Sequence, residues 1–328
     1  MMRFRACLEP FLVAAILACL PWVLGSNTLA TDAVTLALPV LGGTLIFGYS
    51  GLLSFGQALF FGTGSYVAAL LLKDAGYSLV LSVAAATLAA LVAGAAVGAV
   101  SIRRSGIYFV MLTLAFSNLG FFLAYTASGL TGGENGLLDV PRRSGLLQML
   151  GVNLGNSSVY YTLCAILTFS GYLAMAVIQR SAFGSVLRAV KQNERRAITL
   201  GYNARIYKIA SFAIAAAFAG LGGALNVGLM HFVSLSNISV GMSERIVIVT
   251  LLGGGQSFLA AVLSASIFTG LSDVLASLWP RWMLVLGLII IAIAFSLEAP
   301  AGLSLRALCH RAIARVRLGK SPATSVRG

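Results

Sequence analysis

The stretch RSAFGSVLRAVKQNERRAITLGYNARIYK, residues 180–208, is the long polar interruption between two blocks of apolar sequence. Ser181 can cap the start of a helix there, and Gly201 can end it in a left-handed conformation. Between them the apolar residues recur at helical spacing, which predicts a short amphipathic helix with its basic residues mostly off the buried stripe. The stripe consists of Phe183, Val186, Leu187, Val190, Ala197 and Ile198.

Glu194 is the acidic exception within this basic segment. On a continuous helix it would share a face with Val190 and Ala197. Two roles are open on the residues alone. A basic amphipathic helix can lie on anionic lipid, or it can dock into a partner protein that contacts Glu194.

The composition identifies a membrane protein. Of the 328 residues 59% are hydrophobic and 9% are charged, whereas a soluble domain has about 25% charged residues. A spanning helix needs about 20 apolar residues, so the chain is predicted to be an all-α polytopic protein with about ten spans. The candidate spans are residues 11–26, 32–53, 56–72, 78–100, 106–125, 159–178, 208–230, 243–255, 257–278 and 281–298.

The first apolar run follows Arg3 and Arg5, as in a signal peptide. Because further spans follow at once, we interpret it as an uncleaved first helix.

The distribution of basic residues predicts the orientation. With a cytoplasmic N-terminus, most of the 22 lysine and arginine residues fall on the inner side, which indicates an N-in, C-in topology. The chain is then one transmembrane domain, residues 1–328, embedded over about 11–298. Residues 126–158 form a periplasmic loop, 180–208 a cytoplasmic helix and 302–328 a basic cytoplasmic tail.

The sequence also suggests that the chain contains two pseudo-repeated halves, residues 32–125 and 208–298. Each half contains a short or re-entrant segment broken by glycine, and paired broken spans are typical of transport sites near mid-membrane. The breaks carry Gly56-Gln57 and Gly255-Gln256. Alternatively, glycine serves close helix packing, for which the candidate positions are Gly94, Gly98, Ala216, Gly220 and Ala224.

Chemically active groups are scarce in the predicted spans. Five acidic residues fall at predicted span ends and none lies in the middle of a predicted span, so the buried charge that an ion-coupled carrier normally uses is missing. Neither a zinc motif nor a nucleotide-binding loop is formed, since GKS at 319–321 lacks the rest of that pattern. We therefore expect no catalytic residue, no metal site and no cofactor, with energy supplied by another protein. The acidic residues at the predicted span ends are Asp32, Asp74, Glu244, Asp273 and Glu298.

A few weak polar residues remain inside the spans. Thr113 and Ser117 are four positions apart and share a helix face. Such groups can act as hydrogen-bonding glue between helices or line a path for a small polar solute. The candidate path residues are Ser54, Gln57, Thr113, Ser117 and Asn118.

Four stretches resemble the LivM-type permease subunits of ATP-binding-cassette importers for branched-chain amino acids. Gln57 departs from the pattern where many relatives have histidine, and Arg195-Arg196 where they favour small residues. The stretches are YSGLLSFGQALFFGTGSYVAALL (49–71), RSGIYFVMLTLAFSNL (104–119), LTGGENGL (130–137) and SAFGSVLRAVKQNERRAITLGYNARIYKIASFAIAAAFAGLGGAL (181–225).

The resemblance implies an inner-membrane importer of several chains. Its partners would be a second homologous permease subunit, two ATPase subunits that bind the ATP and a periplasmic solute-binding protein, besides membrane lipid, with no nucleic acid. The resemblance also implies that Arg188, Glu194, Ala197 and Gly201 couple the chain to the ATPase. Branched-chain amino acids are the expected substrates, with urea, short amides or aromatic carboxylates as alternatives. Two hypotheses from other classes are an ion-coupled secondary carrier and a scaffold without transport.

Overall fold

A computed structural model describes residues 2–104, 106–142, 155–255 and 257–278, with a few isolated positions as far as residue 288. The chain forms two compact units, Met1–Leu271 and Ser272–Gly328. All contacts discussed below belong to the first unit. The predicted span at 281–298 and the predicted tail at 302–328 lie outside the continuously described residues.

The described residues are almost entirely helical, as predicted, with one isolated β-bridge between Leu137 and Val233. The second helix continues as a π-helix over Leu45–Ser50. In chain order the helices are α1 (Met2–Leu24), α2 (Asn27–Thr44), α3 (Gln57–Lys73), α4 (Leu79–Ser101), α5 (Ile107–Thr126), α6 (Ser128–Thr131), α7 (Ser157–Arg180), α8 (Ala182–Gln192), α9 (Glu194–Thr199), α10 (Ala204–Met230), α11 (Val240–Leu252) and α12 (Phe258–Leu278).

Six helices in the described ranges are long and apolar enough to cross a membrane: α2 with its π-helical continuation, α4, α5, α7, α10 and α12. The predicted spans up to residue 278 each correspond to a helix. However, α3 and α11 are shorter than a full span, with 17 and 13 residues. The all-α polytopic class is therefore confirmed, with six candidate spans in the described ranges. The number of ten crossings stays a prediction.

Helix α10 forms the centre of the bundle, where it packs against α2, α3 and α4. Small residues permit the close approach, as the packing alternative predicted. The Gly94 position of α4 faces Ala216 of α10, and Gly220 of α10 faces Ala90 of α4. On the α3 side Gly64 lies against the backbone of Gly220. Three helix axes thus meet where a larger side chain has no room.

The two predicted breaks lie against each other. After the π-helix, residues 51–56 are not helical and α3 begins at Gln57. The second break follows α11, where Gly254 and Gly255 adopt the left-handed φ values of 69° and 64°. A side chain at Gly255 would collide with the Phe47 ring, which belongs to the π-helix. The two-fold repeat itself stays a prediction.

The segments that connect the helices lie at the two ends of the bundle. At one end lies the polar segment, residues 180–208, where the Arg205 guanidinium donates to the Ala99 carbonyl near the end of α4, over 3.0 Å. At the opposite end the bridge between Leu137 and Val233 joins the loop after α5 to the chain after α10. Arg142 donates there to the Gly228 and Leu229 carbonyls, which caps the end of α10.

Candidate functional site

The polar segment is not the single helix that the sequence predicts. It forms α8 and α9, separated at Asn193, whose φ of −158° and ψ of 98° are extended. Asn193 itself caps α9, because its side chain accepts a hydrogen bond from the Arg196 amide over 3.0 Å. Ser181 caps α8 as predicted, accepting from the Gly184 amide. Asparagine competes for backbone hydrogen bonds in this way, which favours a cap over a helix interior.

The break at Asn193 changes which apolar residues are buried. Val186, Val190 and Ala197 pack together with Ala204 of α10, so most of the predicted stripe is buried. Ile198 is 54% exposed, and its predicted place on the buried stripe is therefore wrong. A helix that restarts at Glu194 rotates Ile198 away from the face that α8 presents.

Glu194 pairs with a residue of its own chain. Its Oε2 atom lies 2.7 Å from the Lys208 Nζ atom, and the Lys208 side chain is 11% exposed while that of Glu194 is 46% exposed. Lys208 belongs to the second turn of α10, so the ion pair joins α9 to the central helix. The sequence prediction that a partner protein contacts Glu194 missed this internal pairing.

Helix α8 is attached to the end of α2. The Lys191 ammonium donates to the Gly48 carbonyl over 2.8 Å and lies 5.8 Å from the Phe47 ring centroid. The guanidinium of Arg188 lies 5.8 Å from the centroid of the Tyr49 ring. Both contacts join the polar segment to the π-helix directly before the first break.

Gly201 closes α9 as predicted, with a φ of 90° and no atom within 4 Å of the space a Cβ would take. The Gly201 amide donates to the Ile198 carbonyl and the Tyr202 amide to the Ala197 carbonyl, as in a left-handed helix end. Ala197 is buried at 2% exposure, whereas Arg188 is exposed. The four predicted coupling residues thus occupy one segment, and each has a different local role.

Three of the predicted path residues meet at the first break. The Thr113 hydroxyl of α5 accepts from the Phe55 amide, and the Ser54 hydroxyl accepts from the Gly56 amide. Gln57 begins α3 directly after them. Ser117 lies on the same buried face of α5 as Thr113, whereas Asn118 is exposed and away from that face.

Gln57 is buried without a hydrogen-bond partner. Its side chain is 1% exposed, and the described residues provide no partner for either its amide nitrogen or its amide oxygen. A cavity of about 10 Å³ adjoins it, lined also by Ser54 and Thr250, and such a volume holds about one water molecule. Because a buried amide without a partner is costly, Gln57 is expected to bind a water molecule at this place.

A second, larger cavity lies at the opposite end of the bundle. Its volume is about 200 Å³, and it contains an ion pair between Arg245 of α11 and Asp32 of α2, with 3.0 Å between the Arg245 Nη2 and Asp32 Oδ2 atoms. Helix α2 begins five residues before the predicted span, so Asp32 lies in the second turn of α2 and not at its first residue. The two residues are 213 positions apart, so no spacing motif could have revealed the pair.

Comparisons with known proteins agree over most of the chain. A family model described as a branched-chain amino acid transport system permease component matches residues 26–294. The high-affinity branched-chain amino acid transport system permease protein LivM of Escherichia coli (strain K12) is 27% identical over 300 residues, which cover 84% of this chain and 71% of the relative. LivM of Salmonella typhimurium (strain LT2) is similar to the same extent. No solved structure matches the chain.

Proposed function

The chain belongs to the family of branched-chain amino acid transport system permease components, and from this we propose that it moves branched-chain amino acids inward as the unpowered membrane subunit of an ATP-binding-cassette importer. It is a multi-pass protein of the inner membrane. ATP would be bound by two partner ATPase subunits, so this subunit would have no catalytic residue of its own. A second homologous permease subunit and a periplasmic solute-binding protein would complete the complex.

The observation that carries the proposal is the exposed surface of the polar segment. Leu200, Tyr202 and Ile206 expose 70%, 43% and 62% of their area, beside Ile198 and the charged Arg195. Large apolar residues that cluster on a surface with arginine are typical of protein interfaces. On lipid alone, the same segment would not need the rigid attachment to α2 and α10 described above.

Coupling would then be mechanical. When the ATPase subunits close, the exposed surface of α8 and α9 would move with them as one body. The Glu194–Lys208 pair would carry this motion to α10, and Lys191 would carry it to the end of α2. Both helices continue to the cavity at the opposite end, so one displacement reaches both ends of the bundle.

The proposed orientation is N-in and C-in with ten crossings, of which the last would use residues 281–298. It is supported by the grouping of Arg103-Arg104 at the end of α4, the polar segment and the first break at the same end. Basic loops face the cytoplasm in inner-membrane proteins. The loop that begins after α5, predicted over 126–158, would face the periplasm as one part of a single domain.

Reconstitution tests the proposed function. The chain is co-expressed with a second permease subunit and ATPase subunits of such an importer from the same genome, purified through an affinity tag and placed in liposomes with the corresponding solute-binding protein. We expect the ATPase subunits to co-purify. We also expect the liposomes to take up radiolabelled L-leucine when they contain ATP. Uptake driven by an ion gradient without ATP, or a complex that contains no ATPase, would contradict the proposal.

For the translocation path we propose Ser54, Gln57, Thr113 and Ser117 near the first break. Asn118, which the sequence also suggested, is exposed on another face of α5 and is left out of the proposed path. Gln57→Leu keeps the approximate shape but removes the buried amide. We expect it to stabilise the fold by about 1 kcal/mol, because an unpaired polar group is lost, while leucine uptake falls several-fold. Thermal unfolding in detergent and uptake in liposomes measure the two effects.

Asn118→Leu is the control for this prediction, since Asn118 is exposed on the other face of α5. It removes an amide of similar size from the same membrane region and should leave uptake close to normal. A Gln57→Leu protein that transports normally would remove Gln57 from the path.

A further inference from the structure

We propose that the cavity between α2, α10 and α11 binds the zwitterionic head of an amino acid, with Asp32 taking the α-ammonium group and Arg245 the α-carboxylate. The inference rests on the proposed function and adds where, and by which chemistry, this subunit itself recognises its substrate. The cavity is lined by Asp32, Thr35, Leu36, Phe61, Asn226, Met230, Phe232, Ser234, Ser236, Asn237, Met242 and Arg245.

The charges of the cavity match a zwitterion. The Arg245–Asp32 pair is neutral as a whole, so a bound cation or anion would leave one charge unbalanced in a partly desolvated place, which is costly. A zwitterion brings one charge of each sign. It can add its ammonium to the carboxylate and its carboxylate to the guanidinium, and the four charges then alternate.

The pair retains hydrogen-bonding capacity for this role. A guanidinium has five N–H donors and favours the two oxygens of a carboxylate, and the bond to Asp32 uses the Nη2 atom of Arg245. The side chain of Arg245 is 33% exposed and that of Asp32 is 19% exposed. Both charged groups are therefore accessible from the cavity without breaking their bond.

The remaining lining suits an apolar side chain on that zwitterion. Leu36, Phe61 and Met242 face the cavity together with Met230 and Phe232. Methionine side chains adapt to ligands of different shape. The volume of about 200 Å³ is below the roughly 300–1,000 Å³ of sites for drug-sized ligands, so a molecule of amino-acid size fits the site better. Neutral urea or a short amide would form hydrogen bonds with the pair but would bring no opposite charges to it.

The cavity also leads toward the proposed path. Along α2 its lining residue Leu36 is followed by Gly43 and Phe47 of the Gln57 cavity, and along α11 Arg245 is followed by Ile246 and Thr250. On α3, Phe61 lies one turn from Gln57. Helices α2, α3 and α11 therefore line both cavities, first the cavity of the ion pair and then the Gln57 cavity, which is closer to the polar segment.

Protection of an introduced cysteine tests binding directly. Ser236 lines the cavity and is exposed, so Ser236→Cys is made in the full complex after the four native cysteines are replaced by serine or alanine. Its labelling by a hydrophilic maleimide is followed with L-leucine, with leucinamide, which lacks the carboxylate, or with 4-methylpentanoate, which lacks the ammonium group. We expect leucine to slow labelling about threefold or more, as for a site that is about two-thirds occupied or more, and the two analogues to protect far less.

Variants of the pair give the second readout. Asp32→Asn and Arg245→Gln should abolish the protection and reduce ATP-driven leucine uptake by roughly five- to tenfold, because one head group of the substrate loses its charged partner. Lys73→Gln is the control, since Lys73 is a cation at the same end of the bundle that donates to the Leu138 carbonyl outside the cavity. It should leave uptake and protection unchanged.

The double variant Asp32→Arg with Arg245→Asp distinguishes substrate binding by the pair from a purely structural link between α2 and α11. A tie between α2 and α11 would be restored by the exchange, whereas the exchanged groups would meet the wrong ends of a bound zwitterion. Normal uptake in the double variant, equal protection by both analogues, or no protection by leucine would overturn the inference. In each of these cases ATP-driven uptake by the wild-type complex would still uphold the proposed function, which fails separately if that uptake is absent.

Discussion

Glu194→Lys is expected to uncouple the subunit, with ATP-driven uptake falling roughly fiftyfold, within the range of about 5–150-fold that a typical coupling free energy supplies. The substitution places two ammonium groups where the 2.7 Å ion pair now joins α9 to α10. Lys208 would lose its partner while it remains mostly buried, which costs about 1–3 kcal/mol, between the values for exposed and buried pairs. Uptake of labelled leucine and stimulation of ATP hydrolysis by the binding protein measure the result.

The charge exchange Glu194→Lys with Lys208→Glu decides why the single variant fails. If the pair acts inside this chain, the exchange should restore most of the uptake, because the attraction between α9 and α10 returns. If Glu194 instead acts through a contact with the ATPase, as the resemblance implies, the exchange cannot restore that contact. Arg195→Glu is the comparison, since it reverses a charge at the adjacent exposed position of the proposed docking surface without touching Lys208, and its effect therefore reports on the ATPase contact and not on the internal pair.

The sequence predicted the helices well because their signals are local. A long apolar run, a capping serine and a glycine at a helix end each act within a few residues. Ser181 and Gly201 accordingly occupy their predicted places. The break at Asn193 was missed because the apolar residues on both sides continue the same spacing, while the cap depends on a single hydrogen bond from Arg196.

The functional contacts were harder to predict because they join distant parts of the chain. The Asp32–Arg245 pair joins residues from the two predicted halves, and neither residue has a neighbour that suggests a partner. Glu194 and Lys208 are closer in sequence, but their contact requires the chain to turn back through Gly201. Residue types limit which pairs are possible, and the packing of α2, α10 and α11 selects among them.

The close contact between α4 and α10 leads to the other large expected effect, a loss of folded protein in Gly220→Leu. A Cβ atom at Gly220 would already overlap that of Ala90, with the Ala86 carbonyl oxygen 3.3 Å away. Helix backbones cannot yield as a flexible side chain does, so we expect a cost of about 3 kcal/mol or more, at the upper end for overpacked cores. Because membrane helices associate through such packing, little monodisperse protein should survive size-exclusion chromatography in detergent.

A smaller pair of substitutions shows whether the contact itself is responsible. Gly220→Ala should lower the unfolding temperature, and Ala90→Gly added to it should restore most of the loss, because the second change removes the atom with which the new Cβ collides. Gly241→Leu provides the control at an exposed glycine of α11, where the nearest atom to a new Cβ is the Ser239 hydroxyl oxygen at 3.8 Å. If Gly220→Leu is as stable as Gly241→Leu, α4 and α10 do not pack as closely as described, and the rigid connection from the polar segment through α10 loses its structural basis.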